Sequence, residues 1–242
     1  MLKTNRRLAA SLLLKCCMVA AVVVGQIASG PNIFSMNRAQ YYTNLSNVWT
    51  LGLAVVMIMW ELRQALRGAQ NEPPHALLTA RFALTVGVMM TFFVFNLLLA
   101  PYMVRQGRAR YLYGLANAMV HNAVPLLALV DFFAFRYGYK PRRYDLSWSI
   151  LMPFLYLLLV LGLSMSSYRF SGNRAPYFFL DYRALGWFTL KGGIGTFWWI
   201  VLILLFVVAM GKVMLSIHDR LELRFPGVKR AVTPMSEPRE ET

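Results

Sequence analysis

Six stretches of mostly apolar residues, at 8–29, 41–62, 77–103, 111–135, 146–166 and 193–217, constrain this chain more than any other feature. Each is long enough to cross the hydrocarbon core of a bilayer as a helix, which takes about 20 residues. In lipid the backbone must satisfy its own hydrogen bonds. Barrel strands would be shorter and would alternate in polarity. The expected fold is all-α: a polytopic membrane protein, a six-transmembrane-helix bundle. The loops are too short for a second folded domain. The expected division is a transmembrane domain over 1–217 and a partly disordered cytoplasmic tail over 218–242, opening with an amphipathic helix at 218–225.

Composition agrees. Of 242 residues, 58% are hydrophobic and only 14% charged, with mean hydropathy +0.49. Soluble domains carry about a quarter charged residues. This balance excludes a disordered chain, a coiled coil and a disulfide-stapled mini-domain. Cys16 and Cys17 are the only cysteines, adjacent inside the first run, and neighbours on a helix do not bridge. The first run follows Lys3, Arg6 and Arg7 like a signal peptide, but its apolar part is about twice the usual length, so it reads as a retained helix. Lys15 lies within it and is expected to snorkel to the inner interface.

The net charge is +15. The basic residues fall almost wholly in the gaps between apolar runs, which reads as membrane topology and not as a nucleic-acid face. With the N-terminus inside, about 15 Lys and Arg fall in inner segments and about 8 in outer ones. Both termini are therefore expected to be cytoplasmic.

Function in such a chain is sought where polar groups interrupt apolar runs. The second run carries Thr43, Ser46, Asn47 and Thr50 on one helix face. The third carries Asn96. The fourth carries Asn117 and His121 on one face, with Pro125 positioned to kink the helix beside the histidine. From a rise of about 1.5 Å per residue, His121, Asn96 and Asn47 all fall roughly 10–15 Å below the outer surface. Thr43 is shallower, unless its helix starts earlier, near Ser35. Buried polar groups are costly in hydrocarbon, so this layer must face itself or a wet cavity. The plain alternative is packing, with hydroxyls bonded to their own backbone and asparagines joining helices. His121 stands apart as the only histidine inside a span, with an imidazole suited to proton exchange. Arg81 and Asp131, at the inner ends of the third and fourth runs, are expected to form a structural ion pair in preference to a proton relay.

Bis-histidine haem, zinc and di-iron sites all need more ligands than the spans offer, and no phosphate loop or nucleophile elbow occurs. No metal or other cofactor is expected.

Three motifs carry a resemblance: Tyr42-Thr43-Asn44-Leu45-Ser46-Asn47, His121-Asn122-Ala123-Val124-Pro125 followed by Asp131, and Ala175-Pro176-Tyr177-Phe178-Phe179-Leu180-Asp181. In this order they resemble a bacterial family of six-helix integral membrane proteins of uncharacterised function. That family is distantly similar to the androgen-induced and androgen-dependent TFPI-regulating proteins, intramembrane threonine hydrolases of fatty acid esters. The resemblance implies a bacterial inner-membrane location, membrane lipids as partners and a lipid-ester substrate. It also implies Thr43 as nucleophile and His121 as its base. Ser46, Asn47, Asn96 and Asn117 would then provide polar support, the asparagines as oxyanion donors. A small transporter or channel using the same polar layer, and a non-catalytic scaffold, are the alternative readings. The aromatic residues of 167–192 suit either a lid over the polar layer or an interfacial belt.

Overall fold

The structure, a computed structural model, describes residues 2–30, 36–69, 71–166, 168–190 and 193–225. The tail beyond residue 225 and the position of Ser35 lie outside the described residues. Six long helices run through them: α1 Leu2–Ala28, α2 Tyr42–Leu66, α3 His75–Arg105, α4 Leu115–Ala134, α5 Asp145–Met165 and α6 Thr196–Arg224. All six include a window apolar and long enough to cross a membrane, and the chain is an integral membrane protein. Below, "inner" and "outer" name the two ends of the bundle as the charge count assigns them.

The apolar runs correspond to these helices with shifted ends. The largest shift is in α6, which continues as helix from the expected boundary at Ile217 to Arg224. It continues because His218 is buried against the Phe132 and Tyr139 rings and Arg136 pairs with Glu222 at 2.6 Å. Tertiary contact carries the helix past the apolar run.

Helix α3 is the axis of the bundle, packed against α2, α4, α5 and α6. Its sequence fits this place: Thr79, Thr85, Gly87 and Thr91 are small or hydroxyl-bearing and buried, which lets neighbouring helices approach closely. Phe82, Val86 and Met90 meet Tyr156, Val160 and Val207 on one side. On the other, Val88 joins Met18, Val22, Ala54 and Val124 in a smaller cluster that seats α1. Close packing of α1 on α4 needs Gly25, where an added Cβ would stand 2.7 Å from Val120. Leucines such as Leu155, Leu158, Leu159 and Leu205 remain exposed, as befits a surface solvated by lipid.

Two helices contain π turns at facing positions, Phe95–Leu99 in α3 and Ala118–Ala123 in α4. The α4 turn ends just before Pro125, whose nitrogen offers no proton to the preceding turn. Single π turns in α-helices occur frequently at functional sites.

Candidate functional site

The polar residues of α2 share its buried face, as their spacing requires. Ser46 donates to the Thr43 carbonyl at 3.1 Å and Thr50 to the Ser46 carbonyl at 2.8 Å. Asn47 Nδ2 donates to the Thr43 carbonyl at 2.7 Å and to the Val120 carbonyl at 3.2 Å, joining α2 to the π turn of α4. Asn96 Nδ2 donates to the Phe92 carbonyl at 2.8 Å and to Asn122 Oδ1 at 3.1 Å, on the exposed side of the bundle. The amides of Asn47 and Asn96 are therefore engaged as links between and within helices, not aimed at the Thr43 hydroxyl. Asn117 ends the first turn of α4 and is half-buried.

Thr43 differs from its neighbours. Among the described residues its hydroxyl makes no hydrogen bond to a backbone carbonyl, and it shares a cavity wall with Tyr177 from the outer loop. It lies on the wall of a cavity of about 40 Å³. Besides Thr43 and Thr91, the cavity's hydroxyls are those of Tyr42, Tyr156 and Tyr177; most of the remaining wall is apolar, including Met90, Leu157 and Ile203. Gly87 makes room here, since a Cβ on it would stand 2.9 Å from the Tyr42 hydroxyl.

His121 lies in the π turn of α4, its imidazole stacked on Phe95 with centroids 3.9 Å apart and planes 10° from parallel. Its Nδ1 is buried without a hydrogen-bond partner. No hydrogen bond joins His121 to Thr43 among the described residues. The structure places both in the outer half but on different neighbours, Phe95 for one and Tyr177 for the other.

The outer loop divides. Tyr177, Phe179 and Leu180 turn inward and roof the cavity, with Tyr177 stacked on Phe179 and Phe178 on Tyr102. Burial pushes the Tyr177 phenol above the usual range. Phe188 and Leu190 stay exposed.

At the inner end lies a site that sequence reasoning saw only in part. Arg81 Nε donates to Asp131 Oδ2 at 2.8 Å, and Nη2 donates to the Asp131 carbonyl. This pair belongs to a larger cluster centred on Lys15. Its ammonium donates to Ser11 Oγ at 2.7 Å, Asp131 Oδ1 at 2.8 Å and Tyr137 Oη at 2.8 Å, and stands 3.1 Å from Glu61 Oε1. Lys15 is only 1% exposed, so it does not snorkel to the interface. The physical reason is that Asp131, Glu61 and Tyr137 reach it from other segments, and Ser11 from one turn earlier in its own helix. Two cations against two anions leave the cluster neutral, which is what lets it sit in a low-dielectric interior. Tyr137 reaches it from a left-handed backbone conformation, φ 51°, and donates to Glu61. The available signals were a lysine in mid-run with Ser11 one turn before it, and a lone acid, Glu61, in the second run.

Comparison with protein-family models, with curated proteins and with solved structures finds no match.

Proposed function

We propose that this protein is an intramembrane hydrolase or acyl-transfer enzyme for lipid esters, with Thr43 as nucleophile and His121 as general base. The observation that carries the reading is the position of Thr43: a hydroxyl not taken up by the backbone, on the wall of an apolar cavity beneath an aromatic roof. Such a wall has the apolar character an acyl chain requires, and the Thr43 hydroxyl on it offers a nucleophile to the ester carbonyl. The uncommitted Nδ1 of His121 and the paired π turns around it add support.

The reaction follows nucleophile–base logic. The imidazole turns from Phe95 toward Thr43 and takes its proton as Oγ adds to the ester carbonyl. The tetrahedral intermediate collapses, the alcohol leaves with the proton from the imidazolium, and the acyl group stays on Thr43. Water, deprotonated by His121, or a second alcohol then releases it.

A fluorophosphonate probe on the purified protein tests this. Labelling is expected in the native chain, lost in Thr43→Ala and reduced in His121→Ala. Labelling untouched by Thr43→Ala overturns the reading.

A further inference from the structure

Two asparagines meet on the outside of the bundle, each in a π turn. Asn96, in α3, is exposed, and Asn122, in α4, is half-buried. Asn96 Nδ2 uses both of its hydrogens, one on the Phe92 carbonyl at 2.8 Å and one on Asn122 Oδ1 at 3.1 Å. Among the described residues this leaves Asn96 Oδ1 without a donor and Asn122 Nδ2 without an acceptor.

The depth of the pair makes these two free groups costly. Helix α4 runs for 20 residues, about 30 Å, which is the thickness of the hydrocarbon layer. Asn122 lies roughly 10 Å from its outer end, and the hydrogen bond holds Asn96 at the same level. Phospholipid esters lie at the edge of that layer, and the acyl chains inside it carry no hydrogen-bonding group. A free amide N–H and a free carbonyl oxygen at this level call for a protein partner.

The free groups also define that partner. One is a donor and one is an acceptor, so together they are self-complementary. A second copy of the chain, inserted in the same orientation, carries the same two groups at the same depth. A two-fold axis along the membrane normal lets each Asn122 Nδ2 donate to Asn96 Oδ1 of the other copy, and both free groups gain a partner. The surface beside them suits the contact. Leu126 and Val130 follow Asn122 on α4 at intervals of four residues and are 45% and 52% exposed. They form an apolar ridge of the four-residue kind by which helices pack.

We propose that this outward face of α3 and α4 is a homodimer interface, with the Asn96–Asn122 pair at its centre and the Leu126–Val130 ridge beside it. The interface stands whether or not Thr43 is a nucleophile.

The test uses the full chain in liposomes, with Cys16→Ser and Cys17→Ser as background and a cysteine appended to the C-terminus for donor and acceptor dyes. Energy transfer, followed as the lipid-to-protein ratio rises, gives the dimer dissociation constant. Asn96→Leu together with Asn122→Leu is expected to raise that constant about tenfold, the effect of two interhelical hydrogen bonds in a bilayer. Transfer no greater than random mixing predicts for the chain with both asparagines overturns the interface, and so does a constant untouched by the two leucines. A second measurement leaves the asparagines in place. Leu126→Cys, in the same background without the appended cysteine, is expected to form a cross-linked dimer with a short bismaleimide. Leu158→Cys, at a site 52% exposed on α5, is expected to stay monomeric. Equal cross-linking at the two positions overturns the interface.

Discussion

Lys15 and Asp131, 116 positions apart in sequence, form an ion pair of 2.8 Å that is almost wholly closed to solvent. The pair ties α1 to α4, and Arg81 on the other oxygen of Asp131 ties both to α3. Removing one partner leaves a buried charge uncompensated, which costs about 3–5 kcal/mol. Lys15→Met and Asp131→Asn are each expected to destabilise the protein by that order. The double substitution is expected to cost less than the sum of the two. Thermal unfolding in detergent, read as a double-mutant cycle, measures the coupling; additive losses would show that the pair does not hold the bundle.

Asn47 is the polar bolt between α2 and the π turn of α4. Asn47→Leu removes the donor to the Thr43 and Val120 carbonyls and is expected to cost about 1–3 kcal/mol, the range for a buried polar group left unpaired. The same unfolding measurement checks it. Ser46→Ala removes a hydroxyl that bonds only within its own helix, and its effect is expected to be under about 1 kcal/mol.

Burial pushes the phenols of Tyr137, Tyr139 and Tyr177 above the ordinary tyrosine range, with neighbouring Glu61 and Asp145 acting in the same direction on the first two. The folded protein therefore holds protons that the unfolded chain releases near pH 10. Stability from these groups is fully present below about pH 10 and is lost as pH rises above it. Spectrophotometric titration is expected to show a set of phenols that ionise only when the protein unfolds. A smooth titration of all tyrosines near pH 10 with the fold retained would contradict this.

The charge count assigns the loop after α3 to the outside and the loop after α4 to the inside. With both native cysteines replaced by Ser, Arg108→Cys is expected to react with a membrane-impermeant maleimide on intact cells. Arg142→Cys is expected to react only after permeabilisation. The reverse pattern would invert the bundle and place the Tyr177 loop on the cytoplasmic side.

Much of the fold was legible because a bilayer imposes one requirement that a linear sequence must meet, namely a long apolar run for each crossing. The polar face of α2 was legible for a similar reason: Thr43, Ser46, Asn47 and Thr50 follow helical spacing, and spacing is a property of the chain. A helix at 218–225 was legible, but its continuity with α6 was not, because burial of His218, not local hydropathy, joins the two. Nor was the fate of Lys15, because snorkelling and pairing are both open to a lysine in an apolar run. Which one occurs depends on what the other helices bring near it.

Sequence by itself therefore determined the six crossings, their approximate ends and which polar groups must be buried together. Only the tertiary structure decided their partners. It drew Glu61, Asp131 and Tyr137 around Lys15, stacked His121 on Phe95 and brought Tyr177 to the same cavity wall as Thr43. The physical reason is range. A helix is selected by hydrogen bonds four residues apart and by the solvent around it. The pairing of buried polar groups is selected by contacts across more than a hundred residues, which no local pattern encodes.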